Sequence, residues 1–113
     1  MKPFDIFNWQ PPGWFEPHPC VVVSHPSRIT NKAEVNLVAC SSKQTTRKAQ
    51  AHEIILDQAD GLDWPTPCKC DQLYSVSKSE LKQRRGEVSP ARRKLLVRTI
   101  IGSLGWGEVL SEP

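Results

Sequence analysis

The chain contains no run of about eighteen apolar residues, the length a helix needs to cross a bilayer, and its longest helical candidate is interrupted by Arg98. No membrane span is expected. The first residues, Met1-Lys2-Pro3-Phe4-Asp5, lack a basic segment followed by an apolar stretch, so a secretory signal is not expected and a cytoplasmic location follows by default. There is no internal repeat and no low-complexity tail, which sets aside solenoids and linker arrays. Hydrophobic residues make up 38% and charged residues 24%, somewhat lean for a globular protein. The shortfall in core material points to a homodimer whose interface completes the burial. With 113 residues the expectation is one domain spanning 1–113. The net charge of +3 is a mild basic excess, which allows a polyanionic partner without demanding one.

What the sequence does have is proline, ten residues of it, and two abrupt apolar segments. His18-Pro19-Cys20-Val21-Val22-Val23-Ser24 and Leu37-Val38-Ala39-Cys40-Ser41-Ser42 are short β-branched runs that stop at hydroxyl residues. A buried strand that delivers polar side chains to the rim of a sheet has this pattern, and two such ends can build one site. Phe4 to Trp9 alternates imperfectly and reads as a first strand. Prolines 11, 12, 17 and 19 with Gly13 exclude helix and central strand from residues 10–19, leaving a stiff loop.

Cys20–Ser24 is then the second strand, His25-Pro26-Ser27-Arg28 a turn, and Glu34–Cys40 the third strand. Lys43 to Gln50 is polar, with no apolar period, and reads as an exposed mobile connection. His52–Leu56 is a fourth strand, Ala59–Leu62 a turn, and Thr66–Asp71 a fifth strand. After Tyr74–Ser77 come a brief helical turn from Ser79 to Lys82 and a last short strand at Arg85–Val88.

Ser89-Pro90 is a helix start, with the hydroxyl as N-cap and proline at the first helical position, where its missing N–H is harmless. Val97, Ile100, Ile101 and Leu104 follow at i, i+3, i+4 and i+7, which predicts an apolar face packed on the sheet. Gly105 is the expected stop, with Trp106 tucked back against the core. Short strands joined by turns and closed by one helix predict a mainly β, α+β fold: a small, strongly bent antiparallel sheet or barrel.

The shared order of a proline before an apolar strand ending in Ser, a Cys70-Asp71-Gln72 step, and an Arg85-Gly86-Glu87-Val88-Ser89 lead into a helix resembles toxins of the MazF/PemK family. The resemblance runs from the first strand to the end of the last helix. It implies an SH3-like barrel with a C-terminal helix packed on it. It further implies a dimeric endoribonuclease toxin that cleaves single-stranded RNA without a metal or other cofactor, and a cognate antitoxin whose extended tail occupies the RNA groove. Two alternatives stay open: a non-catalytic barrel of this type that binds a protein partner or nucleic acid, and a gyrase-poison-like toxin gripping its target through the C-terminal helix.

Cleaving RNA without metal needs a base for the 2′-hydroxyl proton, an acid for the leaving 5′-oxygen, and donors or cations for the phosphorane oxygens. In the family an arginine usually precedes the proline that opens the second strand, and a Thr or Ser ends the third. Those positions here are His18 and Ser41, with Ser42 adjacent. An imidazole transfers protons better than a guanidinium but cannot hold a phosphate bidentately. His18 is therefore read either as acid or base, with Arg47, Lys48 or Arg84 steadying the phosphate, or as an inert residue between Pro17 and Pro19.

The resemblance makes Gln72 an RNA contact, and Tyr74, where most relatives carry a basic residue, able to stack on a base or donate to phosphate. Cross-strand packing is its other reading. His52 reads as a structural strand-end histidine more readily than as a second proton-transfer group, and His25 as an exposed turn residue. Cys20, Cys40, Cys68 and Cys70 read as core thiols, with a four-Cys metal site as the minor alternative. Asp57, Asp60 and Asp63 read as exposed N-caps and turn formers. Lys82, Arg84, Arg85, Arg92, Arg93 and Lys94 read as a mostly solvated face, or, if they converge, a phosphate track. Trp9 and Trp14 bracket the proline-rich loop, at least one of them as packing.

Overall fold

Seven strands, three helices and two 3₁₀ turns make up the computed structural model, which describes residues 1–113. The strands are β1 (Asp5–Trp9), β2 (His18–Val22), β3 (Glu34–Ala39), β4 (Glu53–Leu56), β5 (Thr66–Lys69), β6 (Tyr74–Ser77) and β7 (Lys82–Glu87). Five form an antiparallel sheet in the order β6-β3-β2-β1-β7, and β4 and β5 form a separate antiparallel ribbon. The architecture is mainly antiparallel sheet with a C-terminal helix, as expected. The sheet is not closed: ribbon and sheet meet only through a single bridge between Cys40 and Cys68.

That seam follows from the end of β3. Cys40 N–H donates to the Pro19 carbonyl on β2 at 2.8 Å, and the next amide, Ser41 N–H, donates to the Pro67 carbonyl on β5 at 2.9 Å. One strand end is thus shared between two sheets, and it leaves the Ser41 side chain at the junction.

The central strands are apolar on consecutive residues because both sheet faces are covered. Ile6, Val21, Val38 and Val88 face one cluster with Ile54, Leu56, Leu62 and Leu96, whereas Trp9, Cys20, Val22, Leu37 and Ala39 face a second with Ile29, Val35 and Val76. Cys40, Cys68 and Cys70 lie in the first cluster and Cys20 in the second, all free thiols. Burial pushes the Cys20 thiol up to about 12, and Cys68 and Cys70 also lie well above the ordinary thiol range, through hydrogen bonding among the sulfurs and burial. These sulfurs stay protonated and serve as packing.

Several local expectations are corrected. His25–Arg28 is the start of helix α1 (Pro26–Asn31), with Pro26 in its first turn and the His25 ring accepting the Ser27 N–H at 3.1 Å. An imidazole thereby fills the role usually given to Ser or Asp. The second strand begins at His18, so this residue is paired with Trp9 instead of lying in the loop.

Helix α2 (Pro90–Ser103) starts where expected, but the Ser89 hydroxyl makes no cap bond. The carboxylate of Asp60 takes the Ser89 N–H instead, at 2.8 Å. Asp60 is accordingly buried, not exposed; it also accepts the Asp57 N–H at 3.0 Å and is bound by Arg92. Arg92 clamps Asp57 too, at 2.8 and 3.0 Å, and holds that carboxyl below the usual range while its own guanidinium is raised.

The expected apolar face Val97, Ile100, Ile101 and Leu104 is packed only in part. Leu96 is the buried residue, Ile100 is half-buried beside it, and Val97 is 41% exposed. Gly105, at φ 77°, ends the helix as expected. The chain then continues into α3 (Trp106–Leu110), and Trp106 stays 52% exposed instead of tucking in.

Candidate functional site

A cavity of about 240 Å³ opens beside the seam between sheet and ribbon, lined by Trp14, His18, Ala39, Cys40, Ser41, Lys69, Gln72 and Tyr74. Four elements converge there: β2 brings His18, the end of β3 brings Ser41, β5 brings Lys69, and the connection into β6 brings Gln72 and Tyr74. Of the residues singled out from sequence, His18, Ser41, Gln72 and Tyr74 therefore share one cavity. No carboxylate lines it.

His18 is the best-defined group. Its Nδ1 lies 2.9 Å from the Cys40 carbonyl oxygen. A carbonyl can only accept, so Nδ1 must carry the proton and the neutral ring keeps its lone pair on Nε2. The Trp14 indole packs on the ring at 61° with centroids 4.4 Å apart, fixing the plane of the imidazole from the loop side. Trp14 in turn contacts Trp9 at 5.3 Å and Tyr74 at 6.3 Å, and Trp9 contacts Tyr74 at 5.0 Å. The proline-rich loop is thus pinned by an aromatic cluster, with Trp9 buried as packing and Trp14 facing the cavity. The Tyr74 hydroxyl donates to Gln72 Oε1 at 3.1 Å, so the two side chains hold each other.

Ser41 Oγ accepts the Lys43 N–H at 3.1 Å, which leaves the hydroxyl hydrogen free to donate. Ser42 faces a smaller neighbouring recess with Ser41, Trp64 and Arg85, and its hydroxyl donates to Glu16 at 2.5 Å.

The expected loop and strand-end cations behave differently. Arg47 is not free: it forms a two-point ion pair with the buried Glu53, at 2.6 and 3.0 Å. The loop that carries it is therefore tethered to β4, which corrects the reading of Lys43–Gln50 as simply mobile. Lys48 is exposed on that loop and lines no part of the cavity; its carbonyl accepts from Arg47 at 3.2 Å. Arg84 points to Asp5 at 3.0 Å and to Glu87 at 3.9 Å, and likewise does not line the cavity.

The other basic residues do not converge into a phosphate track either. Arg85 pairs with Asp63, Arg92 with Asp57 and Asp60, and Arg93 with Glu87 while lying over the Phe4 ring at 5.0 Å. His52 does not line the cavity; its backbone carbonyl accepts the Cys70 N–H at 2.8 Å. No group of three or more His, Cys, Asp or Glu side chains is arranged to hold a metal ion.

The cation that does reach the cavity was passed over in the sequence. Lys69 sits between two buried cysteines, a position that reads as incidental until register is known. Glu53 lies directly across from it on β4, and the Lys69 ammonium meets that carboxylate at 2.5 Å. The usable signal was strand period: with Cys68 and Cys70 turned to the core, Lys69 must face the other side of the ribbon.

A family model described as the PemK-like, MazF-like toxin of type II toxin-antitoxin systems matches residues 7–104. No curated protein matches the sequence. Among solved structures, the chain is similar to an endoribonuclease in complex with its cognate antitoxin from Mycobacterial species, at 23% identity and a TM-score of 0.80, covering 100% of this chain and 99% of that one. It is similar to the Mycobacterium tuberculosis toxin MazF-mt6, at 18% identity and a TM-score of 0.75, covering 89% and 96%. A MazE-MazF structure (Form-II) from Deinococcus radiodurans matches at 13% identity and a TM-score of 0.67, covering 100% and 97%. At these identities the structural likeness speaks for the fold.

Proposed function

The chain belongs to the PemK-like, MazF-like toxin family of type II toxin-antitoxin systems, and from that membership we propose that it is an endoribonuclease that cleaves single-stranded RNA by attack of the 2′-hydroxyl, without a metal. The observation that carries this reading is the shared cavity of His18 and Ser41, with the Nδ1 proton of His18 committed to the Cys40 carbonyl.

The chemistry follows from that tautomer. His18 Nε2 takes the proton of the 2′-hydroxyl, the 2′-oxygen forms a bond to phosphorus, and the P–O5′ bond breaks; the 5′-oxygen leaves with a proton from water. The products are a 2′,3′-cyclic phosphate and a 5′-hydroxyl end. Ser41 donates its hydroxyl hydrogen to a phosphorane oxygen. Gln72 and Tyr74 bind the neighbouring nucleotide, Tyr74 by stacking or through its hydroxyl. Ser42 lies one residue further along the same rim.

The departure from the family pattern, a histidine where an arginine is usual, changes the division of labour: proton transfer improves, and phosphate charge must be met elsewhere. The membership also supports a homodimer and a cognate antitoxin as partners. Trp106, Val109 and Leu110 are exposed apolar residues of the short helix α3, which favours protein contact there.

The decisive variant is His18→Ala. Loss of a general base lowers RNA cleavage by about a hundredfold or more while circular dichroism stays that of the parent. Parental cleavage by His18→Ala would remove His18 from the mechanism.

A further inference from the structure

Resting on the nuclease reading, we propose that Lys69 supplies the phosphate-binding charge of this cavity, held in place by Glu53, with Arg47 balancing the carboxylate.

The argument starts from charge. Glu53 is a carboxylate whose side chain is 0% exposed, yet it touches two cations, Arg47 and Lys69, whose side chains are 44% and 40% exposed. It also accepts the Gln50 N–H at 3.0 Å. Arg47 engages both Glu53 oxygens and so neutralises the carboxylate by itself. The ammonium of Lys69, bonded to one of those oxygens, is surplus: the trio carries one net positive charge. Lys69 lines a cavity that has no acidic lining and has His18, Ser41, Gln72 and Tyr74 on its walls.

Geometry adds to charge. An ammonium has three donors; one goes to Glu53, and no other partner in the protein takes the remaining two. A lysine on a bare strand would wave through solvent. Here the cross-strand carboxylate holds it, so little side-chain freedom is lost when a phosphate oxygen arrives. The other cations considered from sequence do not compete: Arg47 spends its guanidinium on Glu53, Arg84 spends its own on Asp5, and Lys48 does not reach the cavity. Glu53 and Arg47 are positioning residues; Lys69 is the one that touches RNA.

The test uses Lys69→Met, which keeps the aliphatic stem and leaves Glu53 paired with Arg47, so the buried carboxylate is not orphaned. Binding of a 2′-O-methylated oligoribonucleotide, which cannot be cleaved, is measured against salt for the full-length protein and the variant. Each phosphate contact to a single strand contributes about 0.7 to the slope of log affinity on log salt. Lys69→Met is expected to lower the slope by about that amount, and Lys69→Arg to restore it.

With cleavable RNA, Lys69→Met is expected to lose about a hundredfold in kcat, the scale of one transition-state donor, with a smaller change in KM. An unchanged slope and parental cleavage in Lys69→Met, with His18→Ala inactive, would overturn the assignment of Lys69 and leave the nuclease reading standing. A parent that binds the oligomer but never cleaves RNA would overturn the nuclease reading, and the assignment of Lys69 would still be decided by the slope.

Discussion

At the scale of single residues, the behaviour of His18 is set by one acceptor. A backbone carbonyl holds Nδ1, the Trp14 indole holds the ring plane, and the residue lines the cavity. The sequence pointed to this histidine and to Ser41 because strand ends rich in hydroxyls build rims. It could not point to Lys69, whose meaning depends on which residue lies opposite on the neighbouring strand.

Glu53 makes the same point thermodynamically. Its two cations, with the Gln50 amide, hold its carboxyl below the ordinary value of 4.5 against the opposing effect of burial. The folded protein therefore releases this proton more readily than the unfolded chain, and the unfolded chain binds more protons as pH falls. The stabilisation is present above pH 4.5 and is lost progressively as acidification carries the solution toward the folded-state value. Denaturant titrations of the parent from pH 6 down to about 3 should show a falling midpoint, and the Glu53→Gln variant a flatter one. Equal pH dependence in the two would show that this carboxylate does not govern acid stability.

At the scale of elements, strand positions were legible wherever apolar runs were interrupted by proline or hydroxyl residues, which covers β1 to β3 and most of β4 and β5. Two things were hidden. Helix α1 is six residues long and begins at His25-Pro26, and nothing local distinguishes that start from a turn until a ring nitrogen caps an amide. The packed face of α2 was only partly located: Leu96, outside the apolar stripe, is the buried residue, Ile100 of the stripe packs beside it, and Val97 is exposed. Spacing identifies an apolar stripe but not what covers it.

The last strand carries a stricter demand. A Cβ on Gly86 would lie 2.3 Å from the Asp60 carbonyl oxygen, and one on Gly61, at φ 92°, would lie 2.5 Å from the Arg85 carbonyl oxygen. β7 and the 3₁₀ turn at Gln58–Asp60 thus touch backbone to backbone through two glycines, beside the Asp60 carboxylate that accepts the Ser89 N–H at the head of α2. Gly86→Ala forces rigid main chain apart and is expected to destabilise the fold by about 2 to 3 kcal/mol, read as a lower Tm in calorimetry. A variant within about 0.5 kcal/mol of the parent would mean that this approach relaxes freely.

At the scale of the whole molecule, a five-stranded sheet with both faces covered and a two-stranded ribbon meet at one bridge, and the candidate site lies on that seam. The succession of short strands and one helix pointed to the class of fold, and the order of small motifs matched the family, because both depend on local pattern. The seam depends on two consecutive amides just past β3, those of Cys40 and Ser41, choosing different partner strands, information that resides in the assembled structure. Placing an imidazole, a hydroxyl and a cation at such a junction lets three separate strands set their spacing, so the site is as rigid as the sheets that meet there.

The most direct measurement is incubation of the purified full-length protein with a long single-stranded RNA in excess EDTA, followed by analysis of the product ends. A ladder ending in 2′,3′-cyclic phosphate and 5′-hydroxyl groups, present in the parent and absent in His18→Ala, is the predicted result. Intact RNA after incubation with a well-folded parent, or cleavage that vanishes with EDTA, would contradict the account.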